Sequence, residues 1–167
     1  MSARTQAQIL ARFTAIYDGG TDWMGFRLQV LLESMTRDSL RAVAHHLNAP
    51  EPDDDTTTYP AVAPDQLEQT AREYLTFAIG KAVDHRGISA SRSVDKLREY
   101  AWLLGRDDVV QAMENAEYEQ YGVPKLRAFA AGLGWPWPAE GDGWRERALA
   151  RMAEGLPCDP DCADGCA

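Results

Sequence analysis

Apolar residues return along most of this chain at spacings of three and four, the period that gathers side chains onto one side of an α-helix. The pattern predicts a first helix over residues 5–17. Ile9, Leu10, Phe13, Ile16 and Tyr17 fall on one stripe there, and Asp18-Gly19-Gly20 stops it. Thr21 is placed to cap a second helix, over 22–35, with Trp23, Phe26, Leu28, Leu31 and Leu32 apolar. Thr36 is placed to cap a third, which passes through Leu40, Val43 and Leu47 and ends at Asn48 and Pro50.

The pattern breaks over residues 48–63, a polar, acidic, Pro-rich stretch that reads as a linker or a long surface loop. Helical spacing resumes over 65–83, where Leu67, Ala71, Tyr74, Leu75, Ala78, Ile79 and Ala82 give the wide apolar face of a central helix. A fifth helix is expected over 94–104 with Leu97, Tyr100, Ala101 and Leu104, ended by Gly105. A sixth opens at Asp107-Asp108, runs through Val109, Val110, Met113 and Ala116, and stops near Gly122. A short seventh starts at Pro124 and carries Leu126, Phe129 and Leu133, and a last one spans 144–154.

No strand alternation and no repeat is present. The expectation is an all-α, irregular bundle of about seven to eight helices, with one long acidic Pro-rich loop and a flexible, Cys-containing C-terminal tail. Residues 1–154 read as a single helical domain and 155–167 as the tail. A second division sets an N-terminal helical subdomain (1–47) and a linker (48–63) apart from a main bundle (64–154).

Composition supports a packed fold. With 45% hydrophobic residues, five Trp and six Tyr in 167 residues, the chain has the material for a core, which excludes global disorder. The net charge of −9 argues against direct nucleic-acid binding, which depends on Lys and Arg neutralising phosphates. It serves solubility, or a basic partner. A narrower version is an acidic face that imitates DNA, as in a phage-encoded counter-defence protein. No apolar run approaches the ~20 residues that span a bilayer. The first residues carry no basic-then-apolar signal, so a cytoplasmic location without membrane association is expected.

Four features could carry function. The first is a positive cluster in an acidic chain: Lys81, His85, Arg86, Ser89, Ser91, Arg92, Ser93, Lys96 and Arg98, beside an expected helix start. Helix N-termini and Arg side chains both favour anions, so Arg86, Ser89, Ser91, Arg92, Ser93 and Lys96 are the candidate anion- or nucleotide-binding set. The competing account is structural: Ser caps the helix, Arg86 faces a helix C-terminus, and Arg92 and Lys96 pair with Asp95 and Glu99 on a wet surface. No standard nucleotide loop is present.

The second feature is the tail, where Cys158, Cys162 and Cys166 recur every four residues. Three thiolates beside carboxylates suit Zn²⁺, or Cu(I) or an iron–sulfur cluster, with His45, His46 or an Asp as a fourth ligand. The spacing lacks the paired-Cys signature of a structural zinc site, and the competing account is a mobile tail of free thiols. No other cofactor is expected. All three Cys lie in the last ten residues, so no disulfide framework staples the body.

The third is His45-His46, whose side chains diverge by about 100° on a helix. The fourth is Trp135-Pro136-Trp137-Pro138, which cannot be helix interior. Trp135 and Trp137 are candidate interface anchors, or rings that close the end of the bundle.

No standard hydrolase or metalloprotease motif occurs. Asp84-His85 beside Ser89 is a weak catalytic signal, and the Trp/Pro/Gly stretch before the last helix is too long for a helix-turn-helix. The leading expectation is therefore a small acidic interaction or regulatory protein that binds another protein without catalysis. The alternatives are an anion or nucleotide site on the Arg86–Lys96 loop and a metal site in the Cys tail.

Overall fold

The computed structural model describes residues 3–20, 24–51, 64–84, 91–118 and 122–137. The acidic stretch over 52–63, the loop at 85–90, the expected last helix and the Cys tail lie outside them. The chain is all-α, with seven helices among the described residues: α1 (Gln6–Gly19), α2 (Gly25–Glu33), α3 (Arg37–His46), α4 (Pro64–Asp84), α5 (Ser91–Leu103), α6 (Asp107–Asn115) and α7 (Val123–Gly132). None of these helices is long and apolar enough to cross a membrane.

Local chemistry sets most of the helix ends. The Thr5 side chain accepts from the backbone N–H of Gln8, and the Gln8 side chain accepts from the Thr5 N–H, a reciprocal capping box. Thr36 accepts from the N–H of Ser39 and starts α3. Three helices finish in the same way, with one left-handed residue and two backbone bonds that reach back to the last turn. At α3 the left-handed residue is Asn48 (φ 51), at α5 Gly105 and beyond α7 Gly134. The paired bonds are Asn48 N–H to His45 O and Ala49 N–H to Ala44 O; Gly105 to Trp102 and Arg106 to Ala101; and Gly134 to Ala131 and Trp135 to Ala130.

Boundaries differ from the sequence expectation at α2, α5 and α6. Helix α2 spans Gly25–Glu33 rather than 22–35, and Met24, which offers no side-chain cap, precedes its first turn in place of Thr21. Helix α5 begins at Ser91 rather than Val94, so Ser93 is not a cap but the third residue of the helix, and it is buried. Helix α6 stops at Asn115 because Ala116 turns extended, with ψ 138. Apolar spacing alone does not register these ends, since one extra or missing turn leaves the stripe unchanged.

Helix α5 is the centre of the molecule, packed against α2, α4, α6 and α7. Leu97, Ala101 and Leu103 on it are shut from solvent, together with Phe13, Leu31, Met35, Met113, Leu126 and Phe129. Helices α6 and α7 approach very closely at Gly132, where a Cβ would stand 2.6 Å from Cγ2 of Val109. Arg106 donates both to Asp108 and, at 2.7 Å, to the carbonyl of Gly132. That pairing holds the exposed Asp108 carboxyl down at about 2.

One side chain ties the N-terminal turns together. Gln6 Nε2 donates to the Ser34 carbonyl at 2.9 Å, and its Oε1 accepts from the Thr36 N–H and the Ser39 hydroxyl. The start of α1 is thereby fixed on the α2–α3 turn.

Candidate functional site

The polar chemistry of the described residues gathers on two stripes of α5 and at the end of α7. The first stripe is Asp95, Glu99 and Trp102, spaced i, i+4, i+7 so that all three share one side of the helix. Glu99 is 0% exposed. A buried carboxylate is costly unless it is paired and hydrogen-bonded, and two arginines meet that requirement. Arg12 of α1 donates from Nε to Oε2 at 2.5 Å and from Nη2 to Oε1 at 3.1 Å, and Arg27 of α2 donates from Nε to Oε1 at 2.6 Å.

The guanidinium of Arg12 also lies 4.5 Å from the centroid of the Trp102 ring, and that of Arg4 lies 4.8 Å from it. Arg4 donates from Nε to the Trp102 carbonyl and pairs with Asp107. Asp95 pairs with Arg98 at 3.3 Å. Burial pushes its carboxyl up, while Arg98 and Arg27 pull it down and Glu99 pushes it further up.

Enclosed on every side, Glu99 reaches no ligand. Its work is to fix α1 and α2 on α5, and its charge and geometry specify that one arrangement. The helix pattern alone puts Glu99 on a wet surface with Arg92 and Lys96; in the structure it is buried and points inward to Arg12 and Arg27. The available signal was Arg12, a cation set among Ile9, Phe13 and Ile16 on a helix whose mate had to come from elsewhere in the chain.

The second stripe is Ser93, Lys96 and Tyr100, spaced i, i+3, i+7, and it faces Tyr74 of α4. The Tyr74 hydroxyl donates to the Ser93 hydroxyl at 3.5 Å, a long bond, and the Tyr74 and Tyr100 rings lie 6.0 Å apart. The Lys96 ammonium sits 5.3 Å from the Tyr74 ring centroid and 5.9 Å from that of Phe26 of α2. Burial pushes the Tyr100 phenol up to about 12, with the negative charge of Glu33 adding to it. Burial also raises Tyr74, against the bond to Ser93 that lowers it. Both phenols therefore remain hydrogen-bond donors at every ordinary pH.

At the end of α7, Trp135 occupies the position that follows the left-handed Gly134. Its ring meets Phe129 edge-on at 5.7 Å, the apolar contact that accompanies such a helix end. Arg72 of α4 lies 5.7 Å from the Trp135 centroid, and Arg127 lies 4.7 Å from that of Trp137. Both rings are half-buried against the core, while Arg72, Arg127 and Pro136 are exposed. The indole N–H of Trp137 is shut from solvent and meets no acceptor.

Of the proposed anion set, Ser93 and Lys96 come together with Tyr74. Arg86 and Ser89 lie outside the described residues. Ser91 and Arg92 belong to the first turn of α5, and their side chains are outside the description. Cys158, Cys162 and Cys166 also lie outside it, and the described residues contain no group of three metal-ligating side chains. His45 is exposed, and His46 Nε2 is 3.0 Å from Oδ1 of Asp18, with its ring edge-on to Tyr17. The two histidines do not share a site.

Comparison with known proteins adds no class beyond the all-α bundle. No family model, no curated protein and no solved structure matches the chain.

Proposed function

We propose that this chain is a non-enzymatic interaction protein that binds another protein through the end of α7. The observation that supports the reading is the pair of arginine–tryptophan contacts, Arg72 with Trp135 and Arg127 with Trp137, arranged around the exposed Pro136. Trp and Arg are the residue types most enriched among the few side chains that dominate binding energy. Half-buried rings are already ordered, so less side-chain entropy is lost when a partner covers them. The acidic balance of the whole chain adds long-range attraction toward a basic partner, which acts on the rate of encounter.

The reading is tested by affinity capture of the full chain from its native cells under reducing conditions, followed by native mass spectrometry. The expected result is a defined complex of fixed stoichiometry with one other protein. Recovery of the chain alone would contradict it.

A further inference from the structure

The arginines at the α7 end differ from others in the chain in what they pair with. Acidic residues outnumber basic ones by 26 to 17, and Arg4, Arg12, Arg27, Arg41, Arg98 and Arg106 each have a carboxylate within 3.4 Å. Arg72 and Arg127 have no carboxylate partner among the described residues. Each guanidinium lies over an indole instead, Arg72 at 5.7 Å from the Trp135 centroid and Arg127 at 4.7 Å from that of Trp137. A ring contact leaves the guanidinium N–H donors without an oxygen acceptor, and both side chains are exposed. Local composition accounts for Arg127: residues 122–137 contain no Asp or Glu. The other cation there, Lys125, is spent inside the fold on the Met113 and Glu114 carbonyls. Glu68 stands one turn before Arg72 on α4, a spacing that permits an ion pair, yet the guanidinium is turned to Trp135. Glu73 accepts from Gln69.

Resting on the α7 reading above, we infer that the partner meets this end with an acidic segment. Its Asp or Glu carboxylates pair with the Arg72 and Arg127 guanidiniums, and its apolar atoms lie against Trp135, Pro136 and Trp137. A guanidinium fork matches a carboxylate in shape and charge and can take it through two N–H groups at once. Trp135 and Trp137 are two residues apart, so their Cα atoms are at most about 7.6 Å from each other. The two arginine–tryptophan contacts therefore belong to one short stretch of surface, and one segment with several acidic residues can meet both. The acidic excess of the chain lies outside residues 122–137. It draws a basic partner from a distance, while the α7 end selects, at contact, the part of that partner that is acidic. Such local complementarity fixes register and rejects like charge.

The test is a two-dimensional NMR titration of the full chain with two blocked peptides, one of three Glu-Gly repeats and one of three Lys-Gly repeats. An ionic strength of about 0.15 M screens the field of the whole chain beyond ~8 Å. The expected result is a saturable shift of the Trp135 and Trp137 indole N–H and the Arg72 and Arg127 Nε–H signals with the Glu peptide, and none with the Lys peptide. Arg72→Gln/Arg127→Gln should weaken the Glu peptide roughly fivefold or more, as for two exposed charge-assisted pairs. Arg72→Lys/Arg127→Lys should weaken it by less, and Arg41→Gln, on α3, should leave it unchanged. No saturable response to the Glu peptide, or a response of these signals to the Lys peptide, would overturn the acidic segment. A captured partner gives the second arm: Arg72→Glu/Arg127→Glu should weaken it more than Arg72→Gln/Arg127→Gln. A reversal no worse than the neutral pair would overturn the inference and leave the α7 surface standing, whereas indifference to both variants would overturn the α7 surface itself.

Discussion

Arg12 and Glu99 meet through two hydrogen bonds across 87 residues of sequence, one at 2.5 Å and one at 3.1 Å, with Glu99 fully enclosed. Arg27 supplies a third bond from another helix. The two arginines differ from their partner in one respect: each keeps about a quarter of its side-chain surface in water, 23% for Arg12 and 24% for Arg27.

That asymmetry predicts unequal costs. Replacing both arginines with Met leaves a sealed carboxylate without partners and should cost at least the ~3–5 kcal/mol typical of breaking a buried pair. Glu99→Met frees two guanidiniums that already touch water, so its cost should be clearly smaller. Urea unfolding of the two variants decides this, and equal losses would show that the burial of Glu99 does not set the energetics.

The contact between Gly132 and Val109 makes a second prediction. Alanine favours helix over glycine by about 1 kcal/mol, but at residue 132 its Cβ would stand 2.6 Å from Cγ2 of Val109. A β-branched side chain has little freedom to move aside. Gly132→Ala should therefore destabilise by about 1–3 kcal/mol, the usual cost of overpacking. Adding Val109→Ala should recover part of that loss, which a double-mutant cycle in urea would measure.

Asn48 ends α3 in the left-handed region at φ 51. A Cβ without a local polar compensation costs about 1–2 kcal/mol there. Asn48→Ala should lower the melting temperature, and Asn48→Gly should hold or raise it. Thermal unfolding of both distinguishes backbone strain from a side-chain role.

Tyr100 makes stability fall at high pH. Its phenol moves from 10.0 in the unfolded chain up to about 12 in the fold. Below pH 10 both states hold the proton, and the contribution is complete. Between 10 and about 12 the unfolded chain has released the proton while the folded chain has not, so stability declines as pH rises. Tyr100→Phe removes this slope. Across that window the variant should gain on the wild type by on the order of 2–3 kcal/mol, from about 1.4 kcal/mol per pKa unit. Denaturant midpoints measured at several alkaline pH values would show it.

The helices were legible because their signals are local. Thr5 and Thr36 with their caps, Gly20, Asn48 and Gly105 as stops, and apolar spacing on every segment point to the same elements. The partners of charged residues were not legible. Lys96 stands three positions from Glu99 on α5 and reads as its natural mate, yet the true mates lie 87 and 72 positions away. Periodicity describes one helix at a time and carries no information on which helix supplies a counter-charge. Trp135 shows the intermediate case. Its exclusion from helix interior followed from the flanking prolines, but its packing on Phe129 depends on the left-handed Gly134, which directs the chain back across α7.

The central claim is that the end of α7 binds a protein partner, and the direct measurement is the affinity of that partner for wild-type chain and for Arg72→Glu/Arg127→Glu. Both arginines are exposed, so the fold is expected to survive, with far-UV circular dichroism as the check. The account predicts a loss of roughly tenfold or more, since removing a dominant interface residue costs at least 1–2 kcal/mol. Unchanged affinity in the folded double variant would contradict it and place the binding surface elsewhere.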